Sequence, residues 1–258
     1  MKYKITWKKV LLYLGLLLFF VIIVVSTAIL YLNKQLEKKS EQTFYKSFEI
    51  AIPNNYRING IDVSKHQSYI YWNAVKEMKV DSINIDFVFV KATEGADHKD
   101  EMFERNWRLL KTHQITHGAY LYFIPLTNGK AQALNYINHV KLEKGNLPPV
   151  VDIEKTDGLN TSTIKKRLIE CLKTLELHYK AKPIIYTYTE FYDNFLGNEF
   201  NEYPLWIAHY TEDKKPNIKR DWLFWQHSSM GRINGITEKV DFNVFNGDSM
   251  AFRKILIP

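Results

Sequence analysis

The 258-residue sequence predicts an α/β protein: an irregular (β/α) barrel, TIM-barrel-like, behind an N-terminal transmembrane helix. Three observations predict it. An uncharged apolar run occupies residues 10–32, eight short apolar runs recur between residues 58 and 245, and helical patterns fill the gaps between the earlier runs. Strand–helix alternation implies a parallel sheet with right-handed crossovers. Eight strands in one domain imply closure into a barrel.

The first element is the run Val10 to Leu32, rich in Leu, Val, Ile and Phe. At 1.5 Å per residue a helix of that length crosses a hydrocarbon layer of about 30 Å. A secretory signal has a shorter apolar region, about 7–15 residues, and a small-residue cleavage site. Ser26-Thr27-Ala28 is a poor match to such a site, so the segment reads as an uncleaved, single-pass anchor. Residues 1–9 read as a cytoplasmic tail. Both flanks are basic, so the positive-inside rule adds little; the tail is too short to carry a function, which places the large domain on the extracytoplasmic side. Residues 33–57, polar and then mixed, read as a linker, and residues 58–258 as the functional domain.

Charge follows the same division. Residues 1–40 hold seven lysines and one glutamate, whereas the rest holds 28 basic and 27 acidic side chains. The basic balance therefore belongs to the N-terminus, and the domain lacks the basic stripe of a nucleic-acid binder. The single cysteine, Cys171, excludes an intramolecular disulfide. Its setting, Leu168-Ile169-Glu170-Cys171-Leu172, reads as a helix with a small buried thiol.

Within the domain the strand candidates are Ile58–Val63, Phe87–Ala92, Gly118–Phe123, Pro149–Ile153, Ile184–Tyr188, Leu205–Ala208, Leu223–His227 and Val240–Phe245. Several are apolar at successive residues, as strands buried on both faces are. Helices are predicted over Trp72–Met78, Met102–Thr112, Lys130–Leu142 and Thr161–Tyr179, the last capped by Thr161 or Ser162. After Tyr188 the connections lose helical character, so the second half is irregular. His113 and His117 are four residues apart, but Gly118 opens a strand there, which indicates a turn rather than a zinc-binding helix.

Active sites of such barrels lie at the C-terminal strand ends. Carboxylates fall at strand ends here: Asp62 ends the first strand, Asp152 and Glu154 end the fourth, and Asp241 lies at the start of the eighth. Asp152 and Glu154 are two residues apart, so both point to one side of a strand. Each raises the cost of ionising the other, and one can stay protonated near neutral pH, as a general acid must. Aromatic residues make up 14% of the chain. Tyr120, Tyr122, Tyr186, Tyr188, Trp206, Tyr210, Phe224 and Trp225 gather near strand ends, where rings stack on sugar faces or simply fill the core.

Seven motifs, in order, resemble family 25 of the glycoside hydrolases, the Chalaropsis-type lysozymes. They are Ile58-Asn59-Gly60-Ile61-Asp62-Val63-Ser64-Lys65-His66-Gln67, Phe89 to Gly95, Gly118-Ala119-Tyr120, Val151-Asp152-Ile153-Glu154, Leu205 to Tyr210, Trp225-Gln226, and Val240 to Gly247. The resemblance runs from about residue 58 to 248. It implies N-acetylmuramidase activity on peptidoglycan glycan strands, at the β-1,4 bond between N-acetylmuramic acid and N-acetylglucosamine. It also implies Glu154 as general acid, Asp152 as the carboxylate beside it, and Asp62 and Asp241 as further acids of the pocket. Lys91, Tyr120, Tyr122, Tyr186, Trp206, Trp225 and Gln226 are the candidate substrate-binding residues. One departure is Leu121, where many members have His after Gly-Ala-Tyr.

The Asp152–Glu154 spacing along a strand, about 6–7 Å, falls between the ranges of retaining and inverting pairs. A 2-acetamido group can itself attack the anomeric carbon, and a substrate-assisted route with Asp152 orienting that group is the expectation. This chemistry calls for no metal or cofactor. Two alternatives remain from sequence: a hydrolase of another amino-sugar polymer such as chitin, and a membrane-tethered peptidoglycan-binding or scaffold protein without activity.

Overall fold

The computed structural model describes residues 7–210 and 215–258; of the expected tail, residues 1–6 lie outside the described residues. The chain divides into two compact units, Met1–Thr43 and Phe44–Pro258. The first is dominated by helix α1, Trp7–Ser40. Its stretch Val10–Lys34 contains an 18-residue window of mean hydropathy 2.8 and is long and apolar enough to cross a membrane.

The second unit is a closed barrel. Its strands are β1 Asn59–Val63, β2 Phe87–Glu94, β3 Thr116–Tyr122, β4 Val150–Asp152, β5 Ile184–Tyr188, β6 Leu205–Ala208, β7 Phe224–Gly231 and β8 Val240–Phe245. They neighbour one another in chain order, and the sheet closes through β1, which pairs with both β8 and β2. From β1 to β7 every neighbouring pair is parallel. β8 is antiparallel to both β7 and β1, which corrects the all-parallel expectation. The cause is chain length: only residues 232–239 separate β7 from β8, whereas a parallel return needs a crossover of about a dozen residues or more.

Helices α2 Trp72–Glu77, α3 Phe103–Thr112, α4 Gly129–His139, α5 Thr161–Tyr179 and α6 Ser249–Ile255 accompany the strands. The α5 cap is Asn160, whose side chain accepts from the Thr163 amide, one residue before the expected Thr161. His113 ends α3 and His117 lies in β3, so they share no helix. Cys171 is buried on α5.

Alternation along each strand makes two cores. Outward-facing residues such as Ile61, Val88, Val151, Ile185, Ile207, Trp225 and Val244 join one cluster with helical residues including Leu168 and Leu172. Inward-facing Phe87, Phe89, Val150, Ile184, Trp206, Phe224 and Phe245 fill the barrel. Packing there is tight enough to demand glycine in β1: a Cβ on Gly60 would lie 2.4 Å from the Phe87 ring.

Residues 33–57 are not a single linker. α1 continues to Ser40, and Phe48, Ile50 and Ile52 are core residues of the barrel unit. Glu49 ties this segment down through Arg232 at 3.6 Å and Lys239 at 3.2 Å. The alternating Ile50-Ala51-Ile52 is the part of this polar stretch that signals a strand, observed at Ile50–Pro53.

Candidate active site

The inward-facing residues change character toward one end of the barrel. Phe89 gives way to Lys91, Gly118 to Tyr120 and Tyr122, Val150 to Asp152, Ile184 to Tyr186, and Phe224 to Gln226. These residues, with Asp62, Glu154 and Asp241, line a cleft of about 290 Å³. The reversal of β8 puts Asp241 there: the start of an antiparallel strand lies beside the end of its neighbour, and Asp241 pairs with Asp62. In β2, Lys91 pairs with Tyr120 and Thr93 with Leu121. Ala92 is therefore a bulge, a device that re-aims side chains next to sites.

Asp62 sits at the centre of a buried network. Its Oδ2 accepts from Gln226 Nε2 and from Asn243 Nδ2, both at 2.7 Å. The Asn243 amide is oriented by Trp206, whose indole N–H donates to Oδ1 at 2.8 Å; an indole can only donate. Gln226 is oriented likewise, because its Oε1 accepts from the phenols of Tyr186, at 2.7 Å, and Tyr210.

The carboxylates are held where ionisation is costly. Burial, and then Asp241, pushes Asp62 well above the usual carboxylate range, against the two amide hydrogen bonds that lower it. Burial raises Asp152 strongly, and Glu154 adds to this by charge and by a shared hydrogen bond. Asp241 is pushed up to about 6 by burial and then by Glu154. Within the Asp152–Glu154 pair, burial favours the proton on Asp152, and Glu154 is the more exposed partner. Asp152 Oδ1 is buried and accepts no hydrogen bond from the protein. Among the described residues, no group of three or more His, Cys, Asp or Glu is arranged to hold a metal ion.

Of the residues singled out from sequence, Asp62, Lys91, Tyr120, Tyr122, Asp152, Glu154, Tyr186, Gln226 and Asp241 meet in this cleft. Trp206 and Trp225 do not line it. Trp206 is 2% exposed and stacks on Phe89 at 4.5 Å inside the barrel. Trp225 points outward and donates its indole N–H to His209 O at 2.8 Å. Ser64, His66, Gln67 and Tyr210 line the cleft as well, and Asn243 braces it from below. All five fall within motifs already quoted; Ser64 and His66 are held by a local capping box, whereas Gln67, Tyr210 and Asn243 are placed by long-range partners.

The model of the glycosyl hydrolases family 25 matches residues 61–236. The chain is 43% identical to YegX of Escherichia coli K12 over 202 residues, covering 78% of this chain and 74% of that protein. It is 31% identical to lysozyme M1 of Streptomyces globisporus over 211 residues, covering 74% and 69%. A family 25 glycosyl hydrolase from Bacillus anthracis superposes with a TM-score of 0.72 at 31% identity, covering 79% of this chain and 95% of that one. With the matched region running from within β1 past β7 and enclosing Asp62, Asp152 and Glu154, the chain belongs to glycosyl hydrolase family 25.

Proposed function

We propose that the protein is a membrane-anchored N-acetylmuramidase that cleaves the β-1,4 bond between N-acetylmuramic acid and N-acetylglucosamine in peptidoglycan. One observation carries the chemistry: Asp152 Oδ1 is a buried carboxylate oxygen without a donor, two residues from the half-buried Glu154. Such an oxygen suits an amide N–H, and muramic acid offers one in its 2-acetamido group. The activity of the lysozyme relative supports the same substrate class.

In this reading the proton shared by Asp152 and Glu154 leaves through Glu154, protonating the glycosidic oxygen as the bond breaks. Asp152, relieved of its proton, accepts from the acetamido N–H and turns the acetamido oxygen toward the anomeric carbon. Glu154, now ionised, then takes a proton from the water that completes hydrolysis. Asp241 supplies negative charge near the developing oxocarbenium-like centre. Asp62, with Oδ2 saturated by two amides, presents Oδ1 to a sugar hydroxyl. Tyr120, Tyr122, Tyr186 and Lys91 bind the sugars.

The anchor in this proposal is Val10–Lys34. Its apolar side chains are exposed all round, and such a helix is at home in lipid. It would keep the barrel unit on the extracytoplasmic side.

The test uses the full chain in detergent with purified peptidoglycan, followed by borohydride reduction and mass spectrometry. New reducing ends on muramic acid, absent with Glu154→Gln, are the expected result. Reducing ends on N-acetylglucosamine, or release of chitin fragments instead, would refute the assigned bond.

A further inference from the structure

The cleft presents an electrostatic problem that its floor does not solve. Four carboxylates line it, and among the described residues Lys91 is the one lysine or arginine that does. The proposed substrate is itself an anion, because peptidoglycan carries carboxylates on its lactyl and peptide groups. Burial holds Asp62 and Asp152 toward their neutral forms, but the negative charge that remains in the cleft repels a ligand of the same sign unless a counter-charge stands where the ligand's charge falls.

Such a charge stands beside the acid. Lys155 follows Glu154 directly and is exposed at the rim. Its ammonium lies 5.6 Å from the centroid of the Tyr122 ring, and Tyr122 lines the cleft. Lys91 lies 4.8 Å from the same centroid. The two lysines differ in how they are matched. Lys91 Nζ is 2.6 Å from Glu94 Oε2, its side chain largely covered. No carboxylate lies within ion-pair distance of Lys155 among the described ion pairs. Its ammonium instead sits by the Tyr122 ring, and Tyr122 first, then Asp157 and Glu154, favour its charged form.

We propose that Lys155, seated on Tyr122 at the cleft rim, is a specificity residue that binds a carboxylate of the substrate. This rests on the peptidoglycan reading. Lys91, matched by Glu94, acts as a neutral pair within the wall and shapes the Tyr122 platform. Lys155, without an ion-pair partner among the described residues, supplies the positive charge and selects acidic amino-sugar polymers over uncharged ones. The carboxylate has two sources, the free lactyl group of a muramic acid without peptide, or the acidic residues of an attached stem peptide.

The test is binding to the full-length Glu154→Gln chain in detergent, with and without Lys155→Gln, by calorimetry at low salt. Three tetrasaccharide probes are used: muramic acid-containing without peptide, the same carrying stem peptides, and an uncharged N-acetylglucosamine tetramer. An exposed ion pair is worth up to about fivefold in affinity. We expect Lys155→Gln to weaken at least one acidic probe by about that factor, the uncharged one much less, and Lys155→Arg to restore most of the difference. The acidic probe affected identifies the source. Added salt removes the preference, since screening at 1 M acts within about 3 Å. Equal weakening of all three probes, or none, overturns the proposal. If the parent binds none of them, the peptidoglycan reading itself has failed.

Discussion

The two ends of the barrel are built from the same strands and treat polar side chains in opposite ways. At the closed end, His117 is bonded from both ring nitrogens, at 2.7 Å to Ile115 O and 3.3 Å to Asn146. Asp86 there accepts from the Asn59 amide at 2.9 Å and from Asn84 at 2.6 Å. At the open end, Asp152 keeps a bare oxygen, and Asp62 and Asp241 face each other in register. At the closed end these groups serve the fold, although Asn59 Oδ1 there is buried without a partner. The open end bonds Asp62 Oδ2 twice but leaves Asp152 Oδ1 bare in the cleft, and the stability so forgone is the cost of a site that is ready before substrate arrives.

Four substitutions sharpen or break this contrast. The largest effect belongs to the open end: Glu154→Gln should cut turnover by about 10²- to 10⁴-fold with an unchanged melting temperature. A parallel loss of both, by steady-state kinetics and calorimetry, would make Glu154 structural. In the packed interior, Phe89→Ala should cost about 3–5 kcal/mol in urea unfolding, because Phe89 is fully buried against Trp206 and Phe224. A cost near zero would mean that the barrel interior is loosely packed.

Asp241→Asn should do the reverse and stabilise. Asp241 is pushed up to about 6, so the folded state binds its proton more tightly than the unfolded chain does. Its stability contribution is full below the ordinary carboxylate range and is lost as pH rises through about 6. Asparagine removes that loss, a gain of at most roughly 3 kcal/mol at pH 8 and almost none at pH 3. A gain that ignores pH would contradict the assignment. The smallest effect is that of Gln226→Leu, which strands the Tyr186 phenol and removes one of two donors to Asp62. It should cost about 1–3 kcal/mol and lower kcat more than it raises KM. An unchanged kcat would mean that Gln226 does not position Asp62.

Much of the fold was legible because strand runs such as Val150-Val151 and Ile184-Ile185 are apolar on successive residues, and α5 repeats Ile164, Leu168, Leu172 and Leu175 at helical spacing. The direction of β8 was not read, although the short 232–239 connection contains the information. Parity along the strand could also have settled Trp225. It adjoins Gln226, neighbouring residues point to opposite faces, and only one of the two can enter the cleft. Trp206 has the right parity but the wrong depth, since it lies one layer beneath the site. The Gln226–Asp62–Asn243 network was out of reach, because it joins residues 164 and 181 positions apart in the chain and no local pattern encodes such pairs.

The most direct test of the central claim, that Glu154 delivers the proton, compares two substrates. One is natural peptidoglycan; the other is an aryl glycoside of the same sugars whose leaving group departs without protonation. Glu154→Gln should lose cleavage of the polymer and keep most of the parent's rate of aryl release. Equal loss on both substrates would contradict it and assign the acid to another group.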